Sequence, residues 1–266
     1  MERIDDLQFK NLKIIQDTEG FRFGIDSVLL SEFALDIREK SSIVDLGTGT
    51  GIIGILLTGK VNPKKVIGIE KQDKVANMAK RSVKLNHLEN IMSIINCDIK
   101  EIKLEKNSID AVVTNPPYKK LGTGVKSKNE RQQISRFETT ANLDDWIKVA
   151  SSLIVPKGSF YMVYRTDRLT ELFNVLKKYK LEIKRIRFVH SKISEQSKLV
   201  LIKAIKGAGE FLKVEKPLII YNDDGTYTDE ILKIYNTKNW GKINYIKKLL
   251  YYRNLLLNNK MKQPVY

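Results

Sequence analysis

The sequence predicts an α/β fold, a mostly parallel sheet with helices on both faces. Three observations point there. Short apolar runs alternate with longer stretches whose apolar residues recur at helical spacing. The run at 41–46 passes directly into Gly47-Thr48-Gly49-Thr50-Gly51 and then into a strongly apolar helical segment. The run at 109–114 stops at Asn115-Pro116-Pro117-Tyr118, where two prolines without N–H groups cannot continue a ladder.

Taken in order, residues 21–30 read as a turn entering a helix, with Asp26 as its cap. A buried strand follows at 41–46 and an apolar helix from Ile52. The next strand covers 65–70 and ends in Glu70. Asp73 then caps a helix whose apolar stripe is Val75, Met78, Ala79 and Val83. Strands at 91–95 and 109–114 come next. Asn142, with Asp145 three residues on, has the spacing of a capping box for a helix turning Trp146, Ile147, Ala150, Leu153 and Ile154 inward. Pro156-Lys157-Gly158 breaks the chain before a strand at 160–163. Asp167 starts a helix carrying Leu169, Leu172, Phe173 and Leu176. Two further strands, 181–190 and 199–205, flank a polar stretch. Near the end, 242–257 reads as an amphipathic helix with Ile243, Ile246, Leu249 and Leu250 on one face.

Chemistry concentrates at two turns. The Asn115 amide oxygen and the Pro116 carbonyl are two acceptors at the end of a strand, enough to hold both hydrogens of a planar –NH2 group. Tyr118 can stack on the ring that carries it. The glycine turn lets a ligand approach the backbone, and the helix behind it offers unpaired N–H groups. Glu70, at the end of the next strand, suits ribose hydroxyls. Gly49, Gly51 and Gly54 also satisfy G-x-G-x-x-G, so a nicotinamide or flavin dinucleotide is the rival ligand.

Together the two motifs resemble the class I S-adenosylmethionine-dependent methyltransferases that act on amino groups. That resemblance implies a Rossmann-like, seven-stranded, mostly parallel sheet closed by a C-terminal antiparallel pair. It implies S-adenosylmethionine as cofactor, held by Asp45, Gly47, Thr48, Gly49, Gly51, Glu70, Lys71, Asp98, Ile99 and Asn115, with Asn115, Pro116, Pro117 and Tyr118 catalytic. The dinucleotide alternative accounts for neither Asp45 nor the Asn-Pro-Pro-Tyr turn. Phe23-Gly24-Ile25-Asp26, Arg165 to Leu169, Phe188-Val189-His190, 217–221 and Gly225-Thr226-Tyr227-Thr228 narrow the likeness. As a set they resemble the bacterial family that methylates N6 of adenosine 37 in the anticodon loop of valine tRNA, over roughly 14–235. Phe23, Gly24 and Asp26 join the implied cofactor contacts, although Asp26 serves equally as a helix cap. Arg136-Phe137-Glu138 departs from the family's Arg-His-Glu.

Composition agrees. The chain has 266 residues, a net charge of +16, a pI near 9.6 and 42% hydrophobic residues. It suits one core domain at 1–236, with 1–40 as an N-terminal cap segment and 237–266 as a basic helical extension. The charge points to a polyanionic partner, here the tRNA anticodon stem-loop; a lysine-rich proteome is the plainer source. Candidate RNA contacts are Lys119, Lys120, Lys126, Lys128, Arg131, Arg136, Arg165, Lys247, Lys248 and Arg253. For any single lysine of the loop after Tyr118 a solvated surface role is the favoured reading; for the group, the place of that loop beside the target base favours RNA. The basic helix could extend the RNA surface, lie on a membrane, or simply pack. One cysteine and no long apolar run lead to the expectation of a soluble, cytoplasmic monomer, outside the membrane and without a metal. Enzymes acting on three other substrates are the rivals within this class: a release-factor glutamine amide, DNA adenine, and a ribosomal guanine, whose enzymes more often end the tetrapeptide in Phe. Release-factor enzymes usually carry a helical substrate-binding domain before the cofactor loop, and the stretch before Asp45 is too short for one. A non-catalytic RNA-binding protein is the reading from another class.

Overall fold

The computed structural model describes residues 1–17, 24–117 and 141–235. The chain opens with β1 (Glu2–Asp6), β2 (Lys13–Asp17) and α1 (Ile25–Phe33). The central stretch follows as β3 (Ser42–Leu46), α2 (Ile52–Val61), β4 (Lys65–Glu70), α3 (Asp73–Leu85), β5 (Met92–Asn96) and β6 (Ile109–Thr114). Then come α4 (Leu143–Leu153), β7 (Ile154–Arg165), α5 (Leu169–Lys178), β8 (Leu181–His190) and β9 (Leu199–Lys206). The two-residue strands β10 (Lys213–Val214) and β11 (Leu218–Ile219) precede α6 (Asp229–Ile234).

The main sheet runs β10-β8-β9-β7-β6-β3-β4-β5, with β11 also paired to β8. Its seven long strands are those the class I resemblance implies, and β10 and β11 extend the edge. All pairings from β5 across to β7 are parallel. Strand β9 lies antiparallel to both β7 and β8, which is the expected closing pair. From β3 the chain builds outward through β4 and β5, then returns to the other side of β3 as β6. This reversal opens a crevice at the carboxyl ends of β3 and β6, where open α/β sheets bind ligands.

Strand alternation divides the core between two faces. Ala111, Val113, Tyr161 and Val163 join Val28, Leu29, Leu30 and Phe33 of α1 and Ile53 and Leu57 of α2 on one face. Val112, Phe160, Met162 and Tyr164 meet Trp146, Ile147 and Ala150 of α4 and Leu172 and Leu176 of α5 on the other. Each fully buried side chain of this kind contributes about 1.5–3 kcal/mol over an exposed one. The capping box at α4 is present: the Asn142 side chain accepts from the Asp145 N–H at 3.0 Å, and Asp145 accepts from the Asn142 N–H at 3.0 Å.

Several boundaries differ from the sequence expectation. Asp26 is not the cap of α1. Gly24 holds that position, and a Cβ there would lie 2.3 Å from the Asp26 Oδ1 that folds back over it. Gln72, not Asp73, precedes α3, because Glu70 Oε1 takes the Gln72 N–H at 2.9 Å and sets the turn one residue earlier. Asp167 lies in a 3₁₀ turn, Thr166–Arg168, before α5. Pro156-Lys157-Gly158 does not interrupt β7 but bulges out of it, since Ile109 pairs with Ile154 while Ala111 pairs with Ser159. The hairpin of β1 and β2 gave no sequence signal. It is held from outside: the Ile15 N–H donates to Ser82 Oγ at 3.0 Å, and Asn86, the residue capping the end of α3, bonds both backbone groups of Lys13. No helix among the described residues is long and apolar enough to cross a membrane. The basic helix expected at 242–257 lies outside the described residues.

Candidate active site

Leu46 of β3 and Thr114 of β6 are register partners, and Thr114 Oγ1 donates to the Leu46 carbonyl at 2.8 Å. The residues that follow, Gly47 and Asn115, therefore leave the same edge of the sheet side by side. This adjacency unites the two motifs that stand 68 positions apart in the chain (the separation of Leu46 and Thr114).

The glycine turn is shaped from below. Gly47 has φ +68°, and a Cβ there would meet Trp146 Cη2 at 2.6 Å, so the indole of α4 fills the space a side chain would need. Gly51 caps α2 with φ +94°. Asp45 is fully buried beneath the turn. Its Oδ2 accepts from Thr48 Oγ1 at 2.6 Å and from the Gly54 N–H at 3.2 Å, tying the loop to the first turn of α2. Its Oδ1 is buried with no hydrogen-bond partner, and so is Thr50 Oγ1. Burial pushes the Asp45 carboxyl up to about 7, against the hydrogen bonds from Thr48 and Gly54 and with a small push from Glu70.

Glu70 closes the other side of the turn. Oε2 accepts from the Gly49 N–H at 3.1 Å, and burial raises its pKa despite several backbone N–H donors. At the end of β5, Asn96 Nδ2 bonds the carbonyls of Glu70 and Lys71, and the Cys97 N–H donates to the Glu70 carbonyl at 3.1 Å. Asp98 caps the short 3₁₀ turn Ile99–Glu101 by accepting from the Lys100 N–H at 3.0 Å, and it pairs with Lys71 Nζ at 2.9 Å. Burial works against its ionisation, but the Lys100 N–H and the Lys71 ammonium outweigh it and hold Asp98 below the usual range. Ile99 is buried beside it.

Pro116 is buried and Pro117 half-buried after β6. Asn115 Nδ2 donates to the hydroxyl of Ser27, in the first turn of α1, at 3.1 Å. Arg165 ends β7 on the same rim, and its guanidinium is matched by Asp167, with Nε to Oδ1 at 2.9 Å. Gly24 and Asp26 sit at the start of α1, close to Ser27 and so to Asn115. The structure thus gathers Asp45, Gly47, Thr48, Gly49, Gly51, Glu70, Lys71, Asp98, Ile99 and Asn115 at the carboxyl ends of four adjacent strands. Phe23, Tyr118, Lys119, Lys120, Lys126, Lys128, Arg131, Arg136, Lys247, Lys248 and Arg253 lie outside the described residues. Sequence reading missed Ser27 and Trp146 as parts of the site. Nothing in their local pattern tells where α1 and α4 pack.

The arrangement discriminates between ligands. One carboxylate buried under the turn and a second against its flank make the site electronegative, which disfavours a pyrophosphate. A buried carboxylate oxygen without a partner costs on the order of 1–3 kcal/mol or more. A cationic group on a ligand above the turn relieves that cost. The residues present therefore fit a donor bearing ammonium and sulfonium groups better than a dinucleotide.

Comparison with known proteins gives a consistent pattern. The sequence profile of the methyltransferase small domain matches residues 25–188. A tRNA1(Val) (adenine(37)-N6)-methyltransferase of Haemophilus influenzae (strain PittGG) is 25% identical over 230 residues, covering 85% of this chain and 94% of that protein. A protein of the same name from Porphyromonas gingivalis is 27% identical over 239 residues, covering 86% and 93%. Among solved structures, a predicted O-methyltransferase from Agrobacterium tumefaciens superposes with a TM-score of 0.62 at 22% identity, covering 79% of this chain and 95% of that one. M. jannaschii TYW2 in complex with AdoMet does so with a TM-score of 0.52 at 18% identity, covering 77% and 85%. At these identities the structures speak for the fold.

Proposed function

The chain belongs to the methyltransferase small domain family, and we propose that it methylates N6 of adenosine 37 in the anticodon loop of valine tRNA, with S-adenosylmethionine as donor. The observation that carries this reading is the Leu46–Thr114 pairing, which sets an acidic glycine turn directly beside Asn115-Pro116. The curated relatives, matched over 93–94% of their own length and named for that reaction, support the choice of nucleotide.

When bound, S-adenosylmethionine supplies an electrophilic methyl group. Asp45 would face its cationic amino-acid end, Glu70 its ribose, and Asp98 with Ile99 its adenine. The target amine is a poor nucleophile because its lone pair is delocalised into the ring. The Asn115 side-chain oxygen and the Pro116 carbonyl accept its two hydrogens and favour the pyramidal nitrogen of the transition state. Each such hydrogen bond is worth about 2–4 kcal/mol by analogy with oxyanion donors. The stiff diproline turn holds the two acceptors at a fixed spacing, so little orientational freedom is lost during reaction. No strong base is required, because the methylated amine sheds its proton after transfer. Tyr118 adds stacking worth roughly 1–3 kcal/mol.

The rest of the chain supplies the RNA surface in this reading. Residues 118–140 carry six cations against two acids, and 236–266 carry seven cations and no acid. These two segments hold most of the +16 net charge, and the first follows the catalytic turn directly. Phosphate contacts from them would position the loop without reading its sequence. An anticodon-loop base is also easier to extrude than a paired one. In this division 1–236 is the catalytic domain and 237–266 a basic extension.

The test is transfer of labelled methyl from S-adenosylmethionine to an unmodified valine tRNA transcript, followed by mapping of the modified nucleotide. N6-methyladenosine at position 37 is the expected product. Label appearing in a release-factor peptide and not in tRNA would refute the substrate assignment.

A further inference from the structure

A carboxamide can catalyse this reaction in only one of its two orientations. With the oxygen toward the target amine it accepts a hydrogen. Turned by half a rotation it presents N–H to N–H and repels. Something must therefore occupy the Asn115 nitrogen. In the structure Ser27 does so: Nδ2 donates to its hydroxyl at 3.1 Å. Ser27 is 4% exposed, so water competes poorly for this bond.

The serine is itself held rigidly. It lies in the first turn of α1, where its N–H donates to the Gly24 carbonyl at 3.3 Å and to Asp26 Oδ1 at 3.1 Å. Helix α1 is anchored in the core through Val28, Leu29, Leu30 and Phe33, all buried. A rigid helix thus places an oxygen against the end of β6, 88 positions away in the chain. A serine hydroxyl can accept from Nδ2 or donate to Oδ1; here it accepts, and because both amide atoms sit on one planar carbon that bond points Oδ1 the other way.

We infer that Ser27 is a positioning residue for methyl transfer, holding the Asn115 amide in the orientation that turns its oxygen to the target amine. This deepens the proposed function and rests on Asn115 accepting from that amine. The distant helix α1 then contributes to kcat without touching either substrate, by holding the carboxamide plane in place before the amine arrives.

Ser27→Ala removes one hydroxyl from a helix that tolerates alanine well, so the fold is not at risk. With labelled S-adenosylmethionine and an unmodified valine tRNA transcript, kcat is expected to fall on the order of tenfold, the loss of one orienting hydrogen bond. The KM for the transcript and the Kd for the donor should stay within about threefold. If the serine acts through Asn115, the double variant Ser27→Ala/Asn115→Ala is no slower than Asn115→Ala alone. A Ser27→Ala enzyme with wild-type kcat, or a double variant about tenfold slower than Asn115→Ala, would overturn the assignment. An Asn115→Ala enzyme of full activity reports instead that the amine-gripping chemistry itself is wrong, a result separable from the others because it appears in that single variant.

Discussion

Asp45→Asn tests the electrostatic design of the donor site, because two opposite effects are expected from one substitution. The Asp45 carboxyl sits at about 7 in the folded chain against an ordinary 3.8, chiefly through burial. An acid raised in this way binds its proton more tightly folded than unfolded. Its penalty is absent below pH 3.8, grows between pH 3.8 and 7, and is complete above 7. At ~1.36 kcal/mol per pH unit the full penalty is about 4 kcal/mol, and at pH 5 it is about 1.6 kcal/mol. Asparagine keeps one oxygen for Thr48 Oγ1 and the Gly54 N–H but places an unmatched –NH2 where Oδ1 was, at about 1–3 kcal/mol. Net stabilisation of the ligand-free protein at pH 8 is then about 1–3 kcal/mol, or roughly 2–10 °C in Tm, and it vanishes near pH 5. Donor binding moves the other way. Only the ionised carboxylate attracts a cation, so wild-type affinity should rise about fifteenfold from pH 5.5 to 7.0, the change in ionised fraction of an acid at about 7. Glu70, also raised by burial, adds to the trend in the same direction. Calorimetric titration with S-adenosylmethionine at both pH values, on wild type and Asp45→Asn, measures this together with Tm. A wild-type affinity flat across that range, or an asparagine variant that keeps the whole rise, would refute the reasoning.

Three other outcomes follow from the same structure. Asn115→Ala should lower kcat by about 30-fold to 1,000-fold, the worth of one transition-state acceptor, while the Kd for the donor changes by no more than a few fold; single-turnover methylation with calorimetry separates the two. Gly47→Ala places a methyl 2.6 Å from Trp146 Cη2 at φ +68°, so urea unfolding should show a loss of about 2–4 kcal/mol and donor binding should weaken. Removing residues 237–266 takes away seven cations. The slope of log K against log salt for tRNA should then become shallower by several units at ~0.7–0.9 per lost phosphate contact, as filter binding across a salt series would show. An unchanged slope would remove the extension from the RNA surface.

The strands of the central sheet were legible because each is an apolar run of fitting length, bounded by a turn with its own chemistry. The window 65–70 and the window 109–114 match β4 and β6 at both ends. The capping box at Asn142 was equally visible, since both of its partners lie within one helical turn. Where a boundary moved, a longer-range contact moved it. Glu70 reaches over to the Gln72 N–H and shifts the start of α3, and the β6 pairing absorbs Pro156-Lys157-Gly158 as a bulge. The N-terminal hairpin was invisible because the hydrogen bonds that dock it come from Ser82 and Asn86, side chains at the far end of α3.

From the primary structure alone one could read the donor turn, the amine-gripping tetrapeptide and the acidic strand ends, because each depends on residues within a few positions of one another. Tertiary structure decided what those groups can do together. Pairing of Leu46 with Thr114 brought the two turns to one rim, and burial under the glycines left Asp45 with an unmatched oxygen and a proton affinity near neutrality. Packing of α1 against the sheet set Ser27 behind Asn115. Register, burial and helix placement are properties of the whole assembly, because each depends on which distant segments exclude water from a given atom.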